Sequence, residues 1–356
     1  MKRTISAILL ILITFSCKQI PVTPAELNII LLIGDGMGIA QIYAAMTANN
    51  GNLNLEKCTH TGLQKTYSAN RYITDSGAAA TAMATGIKTK NGMIGTDIYS
   101  QPVRTILEYA EINGLSTGLV ATSTITHATP ASFLAHQPDR GEYEKIAADF
   151  LDSGIDIFIG GGKNHFTRRE DRVNLLDSLV IRGYHITNNV SEINIQEEKI
   201  ACFTADLDNS PADSGRGDML PEATKNAIHF LHHKGTGFFL MVEGSQIDWA
   251  AHDNDTKRVI SEMIDFDKAI GVALDFAEKN KNTLVIITAD HETGGMGITG
   301  GDVVSSTVEA YFVTDGHTAT MVPVFACGPG SEKFSGIYEN TAIFHKMMES
   351  YGFRIE

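Results

Sequence analysis

The chain is poor in cysteine and in positive charge, and its apolar segments are short. It holds four cysteines in 356 residues, widely spaced, which excludes a dense disulfide framework and any Cys-based zinc finger. Lysine and arginine number 28 against 42 acidic residues, for a formal charge of −14. Because no basic run offsets this charge, nucleic acid is excluded as a partner. No apolar run reaches the length of a membrane-spanning helix.

The first 17 residues are interpreted as a targeting segment. Two basic residues precede an apolar run over residues 6–16, which has the length of a signal-peptide core. The run ends at Cys17 in a sequence that resembles a bacterial lipoprotein cleavage box, although Phe15 is bulky for that position. An ordinary cleaved signal is the alternative. The segment predicts an extracytoplasmic protein, periplasmic or on the cell surface, that meets the membrane only through a lipid on Cys17.

The other cysteines predict little covalent cross-linking. Cys58, Cys202 and Cys327 remain once Cys17 is set aside, so at most one bridge can form among them. Cys327 ends an apolar run and is interpreted as a small buried hydrophobic residue.

Short apolar runs alternate with helical patterns along most of the chain. The runs have the character of buried parallel strands and cover residues 27–33, 117–121, 155–159, 238–242, 283–288 and 321–326. Helical patterns cover residues 40–48, 104–112, 142–151, 222–232, 257–278 and 341–350. The alternation predicts one doubly wound α/β domain over residues 26–356, with a large, mostly parallel sheet flanked by helices. Residues 163–218 are polar, show no clear strand and are interpreted as a small loop-rich insertion or cap.

One serine stands at the start of an alanine-rich helical segment. In the stretch 74–82, Ser76 would lie among the unpaired N–H groups of the first turn, where negative charge is stabilised. This position suits a nucleophile that works on an anion. The alternative is an ordinary helix cap, since Asp and Ser are both favoured there.

Acidic residues and a histidine follow three of the predicted strands. Asp35 comes after the first run within a glycine-rich turn, Glu243 follows the fourth run, and Asp290 with His291 follows the fifth. In open α/β sheets the ligand site lies outside the carboxyl ends of the strands. A carboxylate in a glycine-rich turn would repel phosphate and indicates a metal. The alternative for Asp35 is a cap for the helix that begins near residue 40.

Three further residues extend this candidate metal site. Asp248 and His252 are four residues apart and would share one face of a helical turn, a spacing that suits chelation of one ion. His317 offers another imidazole. An exposed helical pair and a surface histidine are the alternatives. Gathering four carboxylates at one sheet edge without cations would be costly, which favours the metal interpretation.

With these residues in view, the chain resembles the alkaline phosphatase family from Leu27 to the end. Seven separated motifs, in the family's order, carry the resemblance: Ile33-Gly34-Asp35-Gly36-Met37-Gly38, Thr74-Asp75-Ser76, His127-Ala128-Thr129-Pro130, Val242-Glu243-Gly244, Ile247-Asp248 with His252, Thr288-Ala289-Asp290-His291 and Gly316-His317-Thr318. The resemblance implies metal-dependent hydrolysis of small phosphate monoesters through a phosphoserine at Ser76.

The same resemblance implies two zinc ions and one magnesium ion. One zinc would be held by Asp248, His252 and His317, and the other by Asp35, Asp290 and His291. Magnesium would be held by Asp35, Thr129 and Glu243. Arg140 would bind phosphate, with Asp75 positioning it.

Two residues depart from the family's usual pattern. His127 stands at a magnesium-site position where some members carry Asp, which suggests altered magnesium binding. Trp249 stands where relatives carry Lys or His near the phosphate, and simple packing is the alternative role for it.

Two other functions compete with the monoesterase prediction. A phosphodiesterase or other phosphoryl-transfer relative would tend to lack Glu243 and Arg140. A non-catalytic metal- or phosphate-binding envelope protein would lack a ligand or the nucleophile. The metals and Arg140 together leave a net positive pocket, which suits a monoester dianion. The family resemblance also suggests a homodimer.

Overall fold

The computed structural model describes residues 27–354, which form fourteen β-strands and eleven α-helices. The strands are β1 (Asn28–Gly34), β2 (His60–Lys65), β3 (Ser116–Thr124), β4 (Ile157–Gly161), β5 (Tyr184–Thr187), β6 (Lys199–Phe203), β7 (Phe238–Gly244), β8 (Thr283–Thr288), β9 (Glu292–Thr293), β10 (Met296–Asp302), β11 (Thr307–Phe312), β12 (His317–Thr318), β13 (Val322–Cys327) and β14 (Gly336–Glu339). The helices are α1 (Ile39–Ala48), α2 (Ser76–Thr85), α3 (Ile106–Ile112), α4 (Ala128–Ala131), α5 (Tyr143–Asp149), α6 (Lys163–Thr167), α7 (Leu175–Ile181), α8 (Met219–His233), α9 (Gln246–His252), α10 (Thr256–Asn280) and α11 (Thr341–Tyr351).

Ten of the strands form one central sheet in the order β14-β2-β13-β8-β1-β7-β3-β4-β6-β5. Neighbouring strands run parallel except at β13, which is antiparallel to both β2 and β8. Each strand and helix expected from the apolar pattern overlaps one that the structure contains. The predicted α/β fold, with a mostly parallel sheet between helices, is confirmed.

Side chains of the central strands alternate between two hydrophobic cores. In β1, Ile29, Leu31 and Ile33 belong to one core, whereas Ile30 and Leu32 belong to the other. Successive side chains of a strand point to opposite faces, so a strand covered on both faces is apolar throughout. This explains why β1 reads in the sequence as one unbroken apolar run.

Residues 163–218, where the sequence shows no clear strand, contain two strands. β5 and β6 lie in this segment and pair in parallel, and β6 also pairs with β4, so both extend the central sheet at one edge. The edge strand β5 is short and only half buried, with a Tyr-His-Ile-Thr sequence. Edge strands lack the apolar character that marks a strand buried on both faces. β14 at the other edge, and β2 beside it, are also only partly buried and went unpredicted.

Two small antiparallel sheets lie beside the central one. β10 pairs with β11 in a hairpin, and β12 pairs with β9 so that His317 lies opposite Thr293. The second pairing brings His317 to the carboxyl end of β8. Within residues 27–354 no helix is long and apolar enough to cross a membrane. The predicted signal segment and Cys17 lie outside the described residues.

Candidate active site

The candidate active site lies at the carboxyl ends of β1, β7 and β8. Parallel pairing sets Ile33 of β1 beside Glu243 of β7 and beside Thr288 of β8. Asp35 and Asp290 each follow two residues later in the chain. The register alone therefore brings three acidic residues, distant in sequence, to one point. The position agrees with the rule for ligand sites in α/β sheets.

The first candidate metal cluster consists of Asp248, His252 and His317. A short helix, α9, carries Asp248 and His252 on one face, with His252 Nε2 3.3 Å from Asp248 Oδ2. The Nε2 atoms of His252 and His317 are 3.2 Å apart. Each imidazole is oriented through its other nitrogen, because Nδ1 of His252 contacts the carbonyl oxygen of Asp315 at 2.5 Å and Nδ1 of His317 contacts that of Thr74 at 2.9 Å. Such backbone contacts fix a ligating imidazole.

The second cluster consists of Asp35, Asp290 and His291, all completely or almost completely buried. His291 Nε2 lies 3.2 Å from Asp290 Oδ2 and 3.5 Å from Asp35 Oδ1. The chain leaves β8 before Asp290, so two successive side chains can reach the same point. The alternative for Asp35, a helix cap, is not what the structure contains, because Gly38 occupies the N-cap of α1.

The third cluster consists of Asp35, His127 and Glu243, and Asp35 is thus common to two clusters. His127 is the N-cap residue of α4, and Thr129 lies in the first turn of that helix with its hydroxyl buried. Two serine hydroxyls, those of Ser123 and Ser245, donate to Glu243 Oε2 at 3.3 and 2.5 Å. Glu243 Oε1 has no hydrogen-bond partner.

Several polar atoms at this edge are buried and lack any hydrogen bond. They are Asp35 Oδ1 and Oδ2, Asp290 Oδ2, Glu243 Oε1, Thr129 Oγ1 and His127 Nδ1. A buried polar atom without a partner is costly, and an unpaired carboxylate is more so. These atoms are oxygen and nitrogen donors of the kind that bind divalent cations. The residues present therefore fit metal ions, and the edge is a set of metal-binding sites.

The pKa shifts of these side chains also indicate metal binding. Burial, together with the nearby Asp290 and Asp248, raises the pKa of Asp35 well above its ordinary value. Burial also raises the pKa of Glu243 to about 7. Burial of the His127 ring, with Arg140 beside it, lowers the pKa of His127 to about 3. The carboxylates are thus short of positive charge, and His127 is in the neutral form that can donate a lone pair.

Ser76 is the first residue of α2, and the preceding Asp75 takes the capping role. Asp75 Oδ1 accepts a 3.0 Å hydrogen bond from the backbone N–H of Ala78. The hydroxyl of Ser76 is therefore not used as a cap, and it lies 3.3 Å from His291 Nε2 in the second cluster. Between the two interpretations of this stretch, the structure favours a serine free to react.

Arg140 reaches the site from the loop before α5. Its Nη1 lies 3.0 Å from Asp75 Oδ2, which also accepts from the N–H of Gly92 at 2.9 Å. Its Nη2 lies 3.3 Å from His127 Nε2. Asp75 thus holds the guanidinium beside Ser76. The structure brings together all the residues predicted for the site within residues 27–354.

Trp249 borders the site beside His127. The two rings meet edge to face with centroids 6.0 Å apart, and the indole is half buried. This contact agrees with a packing role next to the third cluster. Trp249 does not supply the positive charge that Lys or His would supply at this position.

Thr293 is a supporting residue that sequence reasoning missed. Its hydroxyl donates to Asp248 Oδ1, in the first cluster, and lies 3.2 Å from His291 Nδ1, in the second. Thr293 thus links two clusters. Thr293 lies two residues after His291 in the sequence, but nothing in the sequence predicts its contact with Asp248. That contact depends on the fold.

Comparisons with known proteins agree with this geometry. The family model described as alkaline phosphatase matches residues 26–312. Alkaline phosphatase 4 of Bacillus subtilis is 37% identical over 88% of this chain and 86% of its own length. The solved structure of alkaline phosphatase from the Antarctic bacterium TAB5 is 44% identical, has a TM-score of 0.89 and covers 92% of this chain and 98% of its own. A His-to-Asp mutant of the TAB5 enzyme, solved with Mg bound in its M3 site, has a TM-score of 0.88 at the same identity and coverage.

The chain belongs to the alkaline phosphatase family. It is an enzyme, a metal-binding hydrolase of phosphate monoesters. The prediction of a monoesterase is confirmed, and the alternatives of a phosphodiesterase and of a non-catalytic binding protein are set aside.

Proposed function

We propose that the enzyme works through a phosphoserine formed on Ser76. The observation that carries this proposal is the position of the Ser76 hydroxyl, at the N-terminus of α2 and 3.3 Å from His291 Nε2 in the second cluster. Helix N-terminal N–H groups favour negative charge on the serine oxygen and on phosphate. The hydroxyl is also free of the capping role that Asp75 takes.

Ser76 Oγ attacks phosphorus in line with the ester oxygen. The new O–P bond forms as the P–O bond to the alcohol breaks; the Ser76 hydroxyl loses its proton, and the alcohol gains one as it leaves. A water molecule then attacks the phosphoserine, which releases inorganic phosphate and restores the Ser76 hydroxyl. The same residue thus serves both halves of the reaction.

Arg140 binds the phosphoryl group through two oxygens. A guanidinium presents a planar fork that matches two phosphate oxygens. Asp75 orients this fork through the 3.0 Å contact with Arg140 Nη1. Because Asp75 is itself held by two backbone N–H groups, the fork has a fixed direction before substrate arrives.

We assign two zinc ions to the first and second clusters and one magnesium ion to the third. The first two sets combine carboxylates with imidazoles, the donors that zinc prefers. The third combines Asp35 and Glu243 with the hydroxyl of Thr129, oxygen donors that suit magnesium, and adds the imidazole of His127. When bound, these ions supply the Lewis acidity and positive charge that favour the alkoxide of Ser76 and stabilise the leaving oxygen.

A serine-to-alanine variant tests the mechanism. We expect Ser76→Ala to lose turnover by at least about a thousandfold, as removal of a nucleophile does, while its bound metal, measured by atomic absorption, stays at the wild-type level. Acid quenching of the wild type with labelled monoester should leave label on the peptide that contains Ser76. Wild-type turnover by Ser76→Ala, or label on another peptide, would contradict the covalent route.

An arginine-to-alanine variant tests the substrate class. A monoester dianion gains more from a fixed cation than a diester monoanion does. We therefore expect Arg140→Ala to lower kcat/KM by about a hundredfold on an aryl phosphate monoester and by much less on the matched diester. Equal losses of kcat/KM on the two esters would contradict charge matching by Arg140. Chelator should abolish monoester turnover.

We further propose that the enzyme is an extracytoplasmic lipoprotein anchored through Cys17 and that it forms a homodimer. The n-region, apolar run and cysteine at residues 1–17 support the first part. For the second, the hairpin of β10 and β11 exposes Val304, Tyr311 and Val313, at 94%, 70% and 78%. Mass spectrometry of the N-terminal peptide and sedimentation of the enzyme test the two parts separately.

A further inference from the structure

Two cysteines that the mechanism does not use meet at one side of the sheet. Cys58 follows a 3-10 turn at Asn54–Lys57, and Cys327 is the last residue of β13. β13 runs antiparallel to β2 with Ala326 opposite His60. Continuing that register sets Cys327 level with Thr59, so Cys58 and Cys327 are neighbours although they lie far apart in sequence.

The sulfur of Cys327 is surrounded by the backbone on both sides of Cys58. Its thiol contacts the carbonyl oxygen of Lys57 at 3.5 Å, and the N–H of Thr59 also hydrogen-bonds to this sulfur. The Cys58 and Cys327 thiols are themselves in hydrogen-bonding contact. Both cysteines are half buried, so Cys327 is not the fully buried residue that its apolar run predicts.

Two alternatives to a pairing of Cys58 with Cys327 are a disulfide with Cys202 and a metal ion bound by the two thiols, and both agree less well with the structure. Cys202 is buried in β6, near the other edge of the sheet from β13 in the strand order. Among residues 27–354, no third Cys, His, Asp or Glu lies close enough to complete a metal-binding group with Cys58 and Cys327. Two adjacent thiols without a further ligand are suited to oxidation.

We propose that Cys58 and Cys327 are the site of a disulfide bond that ties the start of β2 to the end of β13. Its persistence in the cell rests on the proposed extracytoplasmic location, because disulfides last in oxidising compartments. The bond would close a loop that holds every proposed catalytic and metal-binding residue except Asp35. Closing so long a loop stabilises mainly by restricting the unfolded chain.

The bond forms by two exchange reactions with a low-molecular-weight disulfide as oxidant. The Cys327 thiolate attacks one sulfur of the oxidant, which releases one thiol and leaves a mixed disulfide. The Cys58 thiolate then attacks the Cys327 sulfur and releases the second thiol. Two protein thiols lose two electrons and two protons, and the oxidant gains both. The contact between the two thiols lowers the pKa of Cys327 and raises that of Cys58, so Cys327 is the thiol suited to the first attack.

Peptide mapping of the full chain tests the proposal in vitro, independently of where the protein resides. The native chain is incubated with oxidised glutathione, unfolded in an alkylating reagent without reductant, and digested. We expect a peptide that joins Cys58 to Cys327, with Cys202 alkylated. Alkylation of both Cys58 and Cys327, or glutathione retained on Cys327, would overturn the proposal.

Serine variants supply a second readout and a matched control. We expect reductant to lower the melting temperature of the oxidised wild type by a few degrees. The same shift should persist in Cys202→Ser and vanish in Cys58→Ser. An equal shift in Cys58→Ser would overturn the proposal. Because the wild-type map needs no variant, failure of Cys58→Ser to fold leaves the test in place. Loss of phosphatase activity would bear on the proposed mechanism and not on this bond.

Discussion

Two groups of buried acidic residues in this enzyme differ in what neutralises them. Glu262 and Asp265 on α10 both face the guanidinium of Arg216, and all three side chains are at most 5% exposed. At the carboxyl edge of the sheet, Asp35, Asp290 and Glu243 are equally buried, yet the nearby Arg140 is held by Asp75.

The contrast separates a structural ion cluster from a metal site. In the α10 group the chain provides a cation that contacts both carboxylates, so each acid has a charged partner once the protein folds. At the sheet edge carboxylate oxygens are left without hydrogen bonds, and balance must come from bound ions. Burial of acidic residues is therefore uninformative by itself. The metal site is distinguished by buried carboxylate oxygens that have no hydrogen-bond partner.

We expect the largest effect on activity from loss of the Asp35 carboxylate, which two clusters share. Asp35→Asn removes charge from the second and third clusters at once. We expect kcat/KM to fall by at least about a thousandfold, more than the ten- to hundredfold change typical of a residue that only supports a ligand. Metal content should fall as well. Glu262→Gln is the matched control, because Glu262 is a buried acid of the α10 group. This variant should keep the wild-type metal content and much of the wild-type activity.

The next effect concerns stability. Arg216→Met leaves Glu262 and Asp265 buried without a cation, and breaking such a group costs about 3–5 kcal/mol. Urea unfolding of the metal-loaded variant measures this loss. Its metal content should match the wild type. An unfolding free energy within error of the wild type would show that the α10 group does not need its cation.

The smallest expected effect is a gain in the free energy of unfolding, and it concerns Glu243. In chelated protein, Glu243→Gln should raise the free energy of unfolding, because it removes a carboxylate that burial destabilises. With a pKa of about 7 in the folded state, against about 4.3 when unfolded, the folded wild type holds the extra proton between these values. Its stability therefore falls as pH rises through this window.

The advantage of Glu243→Gln should therefore be near zero at pH 4 and on the order of 3 kcal/mol at pH 8. Comparing each variant with the wild type at the same pH removes the contributions of groups that the substitution leaves unchanged. Glu262→Gln is the control and should destabilise at both pH values. If Glu243→Gln and the wild type differed in unfolding free energy by the same amount at both pH values, the pKa of the Glu243 carboxyl would not be raised in the folded protein.

Prediction from sequence succeeded where local chemistry was strong. β8 was predicted to the residue at Thr283–Thr288, since strands buried on both faces are apolar runs. The four-residue spacing of Asp248 and His252 predicted a shared helical face, and α9 provides it. β5 escaped notice because it is a half-polar edge strand. β6 is a short buried strand of five residues, and its pairing with β4 and β5 depends on neighbours distant in sequence.

The sequence by itself determined the family, the α/β class, the candidate ligands and the serine, because these depend on residue types in local patterns. Only the tertiary structure decided that Asp75 caps α2 and leaves Ser76 free, that Thr293 bridges two clusters, and that Cys58 meets Cys327. Each of these depends on strand register or on the path of a loop. Register is set by packing over the whole sheet, which no local pattern encodes.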